Sequence, residues 1–302
     1  MSIIEKAAKR LEELRQAGVS PAPSAEHARI AAGPMAGTVP QAVAEPRATD
    51  PSAPAAQSRR IDLELPRLAA EGFVTPDSPR SGIADEFRIL KRPLIANASG
   101  KGAAVIDRAN LIMVTSSLPG EGKTFCAMNL AMSIAMELDR SVLLVDADVA
   151  RPSMPKLLGI SEGLGLLDVL VGEARLGEVL LRTNVAKLAV LTSGKSHPKA
   201  TELLASEAME RLLLEISSRY ADRIVIFDSP PLLVTTEARV LATRMGQVVF
   251  VVKAEQTKQS DVRHALAAIE SCPVKLLVLN QATSTGQGAY GYGRGYGYGY
   301  GS

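Results

Sequence analysis

No tryptophan occurs in the 302 residues, and aromatic side chains make up only 4% of them. With 46% of residues apolar, the core must be aliphatic, built from Leu, Val, Ile and Ala. Cysteine is equally scarce. Cys126 and Cys272 lie in apolar stretches, which excludes a disulfide scaffold and reads as two buried thiols in a reducing compartment. The three histidines, His27, His197 and His264, show no ligand spacing, so a zinc site is not expected. An excess of one charge is also missing. The 34 basic and 32 acidic residues leave a net charge of +2, too little for a nucleic-acid footprint. No apolar run reaches the ~18–20 residues of a membrane span. A charged, amphipathic stretch follows Met1 where a secretory leader would be apolar, so the expected location is the cytoplasm.

The chain is organised around Ser116-Ser117-Leu118-Pro119-Gly120-Glu121-Gly122-Lys123-Thr124. The apolar run Leu111–Val114 precedes it, and a helical pattern through Phe125 and Cys126 to Met136 follows. Strand, glycine-bearing loop and helix in that order are the context of a phosphate-binding loop. Gly120 and Gly122 permit the tight turn and bring backbone N–H groups close to phosphate oxygens. The helix start adds unpaired N–H groups and a positive dipole end. Lys123 can place a charge on the terminal phosphates and Thr124 can ligate Mg²⁺. Ser117 occupies the position where the general pattern has its first glycine.

Around this loop, residues 1–17 read as a short amphipathic helix, with Ile4, Ala7, Ala8, Leu11 and Leu14 at helical spacing. Residues 18–60 carry Pro21, Pro23, Pro34, Pro40, Pro46, Pro51 and Pro54 without apolar periodicity and read as a linker. Residues 61–281 form the folded domain. Its first strong helix is 85–95, with Phe87, Leu90 and Leu94 as the apolar stripe and Asp85, Arg88 and Lys91 three apart on another face. From Asn110 onward, strands expected at 111–115, 142–146, 188–192, 224–228, 248–252 and 276–280 alternate with helices at 124–138, 166–171, 201–220, 235–244 and 260–271. Unbroken apolar strands of this kind belong to a parallel sheet covered on both faces. The expected fold is therefore a doubly wound, mostly parallel α/β sheet of the phosphate-loop NTPase type. Residues 282–302 form a Gly/Tyr tail holding Tyr290, Tyr292, Tyr296, Tyr298 and Tyr300.

Two further apolar strands end in carboxylates. Val142–Val145 runs into Asp146-Ala147-Asp148, and Ile224–Phe227 runs into Asp228-Ser229-Pro230-Pro231. One strand-end Asp is commonly a helix cap. Three converging on one phosphate loop fit Mg²⁺, which takes hard oxygen ligands and keeps several waters.

Phosphate loop, D-x-D strand, D-x-P-P strand and C-terminal tyrosine cluster, in this order over residues 110–302, resemble the bacterial tyrosine kinases. The amphipathic start, the Pro/Ala-rich linker and the Asp85-Glu86-Phe87-Arg88-Ile89-Leu90-Lys91-Arg92-Pro93 entry look most like the exosortase-associated tyrosine autokinases of exopolysaccharide biosynthesis. The resemblance implies an ATP- and Mg²⁺-dependent protein-tyrosine kinase that phosphorylates its own tail tyrosines, and the short span of about ten residues from Asn280 to Tyr290 leads us to expect transfer in trans, into a neighbour's site. It implies that Pro119 to Phe125 cradle the nucleotide, that Lys123 holds phosphates, and that Thr124, Asp148 and Asp228 hold Mg²⁺. It further implies that Asp146 orients or deprotonates the incoming tyrosine and that Asn280 meets the adenine. Family members assemble rings through an E-x-x-R-x-x-R helix, whose positions here are Asp85, Arg88 and Lys91. The implied partners are a separate membrane-embedded activator of the chain-length-determinant type and a cognate tyrosine phosphatase, with the kinase peripheral to the inner membrane through the activator. In the D-x-D-x-R pattern Ala150 replaces the usual Arg, and Arg151 follows one residue later.

Two alternatives remain at this point. Chromosome-partitioning and septum-positioning ATPases share the fold and the carboxylates, but they carry a second loop lysine where this chain has Leu118, and they lack a tyrosine tail. A nucleotide-binding scaffold with a merely sticky tail is the other.

Overall fold

The computed structural model describes residues 59–77, 81–161, 163–219 and 222–282. The helix expected at 1–17, nearly all of the linker and the tail tyrosines Tyr290, Tyr292, Tyr296, Tyr298 and Tyr300 lie outside the described residues. Among the described residues the sheet contains eight strands: β1 (Arg60–Ile61), β2 (Leu111–Ser116), β3 (Ser141–Asp146), β4 (Leu181–Thr183), β5 (Leu188–Leu191), β6 (Arg223–Asp228), β7 (Gln247–Lys253) and β8 (Val274–Asn280). Their order across the sheet is β1-β4-β5-β3-β6-β2-β7-β8. From β5 to β8 every neighbouring pair is parallel, and β4 runs antiparallel to β5. The six expected strands are all present, with ends shifted by no more than two residues.

Alternation along each strand builds two cores, because successive side chains point to opposite faces. Leu111, Met113, Leu143, Val145, Val225, Phe227, Val248 and Phe250 face one layer, which includes the helices Leu166–Leu170 and Glu207–Arg219. Ile112, Val114, Val142, Leu144, Ile224, Ile226, Val249 and Val251 face the other, with the helices Gly82–Ala98 and Lys123–Ala135. This is the doubly wound arrangement expected. It sets the loops after β2, β3 and β6 side by side at the carboxyl end of the sheet.

The helix expected over 201–220 is two helices, Ala200–Ala205 and Glu207–Arg219. Ser206 divides them. Its backbone is extended (φ −75°, ψ 166°), its hydroxyl donates to Leu203 O at 2.6 Å and accepts from Met209 N at 3.3 Å. A serine that bonds both helix ends offers the backbone an alternative to continuing the ladder. Short helices at Leu65–Ala70, Met154–Leu158 and Leu176–Val179 were not expected.

Lys91 corrects the interface expected from the charged face of the first long helix. Its side chain is only 5% exposed and pairs with Glu137 at 2.7 Å, while its ammonium also donates to Ser133 O at 2.6 Å. Its long stem carries the charge across the helix–helix seam. Of the expected trio only Asp85 and Arg88 reach solvent, and they pair with each other along the helix. Among the described residues no helix is long and apolar enough to cross a membrane.

Candidate functional site

The phosphate loop leaves β2 and turns through Gly120 (φ 81°) and Gly122 (φ 94°). Both occupy the left-handed region that favours glycine. A Cβ on Gly122 would also lie 2.0 Å from the Asn280 amide nitrogen, so the second glycine is demanded twice. The first hydrogen bond of the following helix runs from Cys126 N to Gly122 O at 2.9 Å. The N–H groups of Lys123, Thr124 and Phe125 therefore stand ahead of the helical ladder, where an anion can take them.

The second carboxylate strand is stitched to this loop. Thr115 Oγ1 donates to Pro230 O at 2.9 Å and Ser229 Oγ donates to Val114 O at 3.0 Å. Leu232 N and Leu233 N donate to Ser116 O and Ser117 O at 2.9 and 3.2 Å. Pairing between β3 and β6 puts Asp146 level with Asp228. The three expected carboxylates thus meet at one sheet end. Asp146 and Asp228 are buried and Asp148 is half-buried.

Burial dominates their electrostatics. It pushes Asp146 up to about 8, with the neighbouring Asp228 and Asp148 charges adding to the rise. Asp228 is pushed up to about 7, with Thr124 and Lys123 opposing the effect of burial. Asp148 is also raised by burial, against the pull of Lys123 and of Arg151. The displaced arginine thus still addresses this carboxylate, and its backbone N–H caps Asp148 Oδ1 at 3.3 Å. Asp146 Oδ2 and both oxygens of Asp228 are buried without a hydrogen-bond partner of ordinary geometry.

Such orphaned acceptors fit a hard cation. Thr124 Oγ1 belongs to the same donor set and meets Ser153 Oγ at 3.1 Å. Among the described residues no three His, Cys, Asp or Glu side chains close on one point as a protein-only cage. Mg²⁺ usually keeps waters and phosphate oxygens in its shell.

On the far side of the loop an open groove of about 790 Å³ is lined by Phe87, Leu90, Phe125, Leu279, Asn280 and Gln281. Asn280 spends one amide hydrogen on Glu121 O at 3.0 Å. The Phe125 ring packs against Phe73 and Phe87, with centroids 5.0 and 6.5 Å away, so it joins the wall of the groove. Cys126 lies behind the loop, and burial, with Asp228 nearby, pushes its thiol up to about 12. Both cysteines are buried and unpaired, as expected.

Three groups escaped the sequence reading. Ser153 contacts Thr124. Glu237, only 6% exposed, adds a negative charge near Asp148. Thr257 reaches the phosphate loop from 136 residues away. None sits in a periodic pattern, and only the fold brings them in.

The family model described as AAA domain matches residues 109–276. Over 199 residues the chain is 32% identical to the tyrosine-protein kinase YwqD of Bacillus subtilis (strain 168), covering 66% of this chain and 80% of that one. It is 30% identical over 204 residues to the tyrosine-protein kinase etk of Escherichia coli (strain K12), covering 68% of this chain and 27% of the relative. The chain therefore spans most of the shorter relative and about a quarter of the longer one. The solved kinase domain of the E. coli tyrosine kinase ETK superposes with a TM-score of 0.57 at 26% identity, covering 76% of this chain and 98% of that domain. These relatives decide between the readings left open by the motifs, in favour of a protein-tyrosine kinase. With its AAA domain and these relatives, the chain belongs to the bacterial tyrosine-protein kinases.

Proposed function

We propose that this kinase transfers the γ-phosphoryl group of ATP, with Mg²⁺, to Tyr290, Tyr292, Tyr296, Tyr298 and Tyr300 of another copy of itself. The observation that carries this is the set of buried, unpartnered carboxylate oxygens of Asp146 and Asp228 beside a phosphate loop. Phosphoryl transfer passes through a loose transition state, so positioning and charge neutralisation dominate. The N–H groups of residues 120–125 and the Lys123 ammonium receive the phosphates, and the base lies in the groove beside Asn280. Thr124, Asp148 and Asp228 hold Mg²⁺, which when bound neutralises charge on the phosphate oxygens. Asp146 accepts the proton of the tyrosine hydroxyl. Burial and the neighbouring Asp228 and Asp148 charges raise its pKa, so its deprotonated form is a stronger base than an ordinary carboxylate.

The tail tyrosines follow β8 in the sequence and are separated from one another by glycines. Only about ten residues separate Asn280 from Tyr290. A neighbour's site in a ring is at least as reachable as its own. Each phosphate adds about −1.5 to −2 charges, so a fully modified tail repels other tails and the acidic site, and the ring loosens. In this reading a separate membrane-embedded activator raises a low basal activity at the inner membrane. A phosphatase resets the tail, and the cycle governs exopolysaccharide polymerisation and export.

The test mixes a Lys123→Met chain carrying the tail with an active chain lacking Tyr290 to Tyr300. Phosphotyrosine on the Lys123→Met chain is the expected result. Its absence, while the intact chain modifies itself, excludes transfer between copies.

A further inference from the structure

The phosphate loop contains an acid that its ligand should repel. Glu121 is 3% exposed and folds back into the loop, where one carboxylate oxygen accepts Leu118 N–H at 2.7 Å. The other accepts the hydroxyl of Thr257. No ion pair with Lys or Arg holds it among the described residues. A negative group beside an anion site is unfavourable unless it shapes the site, and its two hydrogen bonds indicate what it shapes. It ties Leu118, at the start of the turn, to the residue between Gly120 and Gly122, which both hold left-handed conformations.

Thr257 lies in the turn after β7, and its own oxygen is fixed by Lys253 N at 3.1 Å. Lys253 pairs with Asn280 at the end of β8, and Ala254 N donates to Asn280 O at 2.9 Å. Asn280 in turn donates to Glu121 O at 3.0 Å. The side chain and the backbone of Glu121 are thus gripped by the ends of two adjacent strands, and the grip closes on itself. Gly122 is pressed against the same Asn280 amide.

We infer that Thr257 is a positioning residue for the nucleotide phosphates, acting through Glu121. It holds the loop in its receiving shape before the nucleotide arrives, so that binding does not have to order the turn. The inference rests on the nucleotide-binding reading above and adds to it a residue outside all three motifs. Because the loop would be held equally for ground state and transition state, the loss should fall on affinity and leave turnover largely intact.

The experiment measures binding of a fluorescent ADP analogue with Mg²⁺ to the full chain, alongside KM and kcat for ATP. Removing a hydrogen bond to a buried carboxylate should weaken binding about tenfold in Thr257→Val. KM should rise in parallel and kcat should change less than about threefold. Thr257→Ser should recover affinity to within about twofold, because it keeps the hydroxyl. In a Glu121→Ala background, Thr257→Val should add almost nothing, since coupled residues are not additive. Unchanged affinity in Thr257→Val, with or without a lower melting temperature, overturns the inference. So does an effect that multiplies with Glu121→Ala. A wild-type chain that fails to bind the analogue overturns the nucleotide reading itself, and this inference with it.

Discussion

Asp168 and Asp228 are both almost fully buried, 3% and 1% exposed, and they are treated in opposite ways. Asp168 opens the helix Leu166–Leu170, and its Oδ2 accepts Gly165 N at 2.8 Å and Lys195 N at 3.2 Å. That carboxylate binds two loops together where they cross so closely that a Cβ on Gly165 would meet Thr192 O at 2.3 Å. Asp228 ends a central strand, and neither oxygen has a hydrogen-bond partner of ordinary geometry, with only Thr124 and Lys123 nearby to favour its charged form. Buried polar groups are ordinarily paired. A satisfied acid of this kind belongs to the architecture. An unsatisfied one costs stability in the empty protein and is explained by what it later receives.

The largest effect that would sharpen this contrast is on catalysis. Asp228→Asn should lower tail phosphorylation by roughly 10³-fold, because a site of this kind works mainly by electrostatic stabilisation. Asp146→Asn should lose less, about 10–100-fold, since a base matters less when bond formation lags. The same Asp228→Asn protein should be at least as resistant to urea as wild type without Mg²⁺, because a buried carboxyl whose charged form is disfavoured by burial has been removed. If the variant is clearly less stable, Asp228 belongs with Asp168 and the contrast fails.

Asp168→Ala should do the reverse. Two backbone N–H groups lose a charged acceptor, a loss of about 3 kcal/mol. For a domain of this size that lowers the melting temperature by roughly 6–12 °C. Transfer at 25 °C should stay within about threefold of wild type. A large loss of activity in a still-folded Asp168→Ala chain would show that the crossing loops take part in the reaction.

Lys91 offers a smaller version of the same division. Its pair with Glu137 is buried on one side and about one-third exposed on the other. Breaking it with Lys91→Ala should therefore cost about 2 kcal/mol, below the range for a fully buried pair. It should leave the mass of any assembly unchanged, whereas Arg88→Glu, on the solvent face of the same helix, should reduce it. Sedimentation of the two variants tests this. A mass change in Lys91→Ala alone would return that residue to the interface.

These cases also mark where the sequence was readable. Five of the six parallel strands were visible because strands covered on both faces leave unbroken apolar runs such as Val142–Val145 and Ile224–Phe227, while the edge strand Val274–Asn280 shows an apolar run although Leu277 and Leu279 are exposed. The three motifs were visible because chemistry fixes their local spacing. Leu181–Thr183 was not, since three residues pairing at the far side of the sheet leave no run to detect. The break at Ser206 was hidden inside a continuous helical pattern, because one hydroxyl can end one helix and start the next. Lys91 was misplaced for a related reason. A helical wheel assigns charge to solvent, but a lysine stem can carry its ammonium across a helix seam to Glu137. The Glu121–Thr257 contact is a property of topology, and nothing local announces it.

The smallest effect is also the most diagnostic, and it concerns pH. In the fold the Asp146 and Asp228 pKa values are raised to about 8 and about 7, while an unfolded Asp titrates near 3.9. Between these limits the folded chain binds more protons than the unfolded one, so stability falls as pH rises through that window. The penalty is absent below about pH 4, grows through neutrality and is complete above the folded values. Glu137 and Glu210 work oppositely, because Lys91 and Arg108 hold their carboxyl groups below the usual range. Their contribution is lost only as pH falls through those lowered values, well under the window of the two aspartates. A divalent cation at the strand ends would replace the missing protons. Added Mg²⁺ should therefore raise the urea midpoint more at pH 8 than at pH 6, and Asp228→Asn should abolish most of that difference. Equal stabilisation at both pH values would mean that Mg²⁺ binds elsewhere, and the orphaned oxygens of Asp146 and Asp228 would then need another explanation.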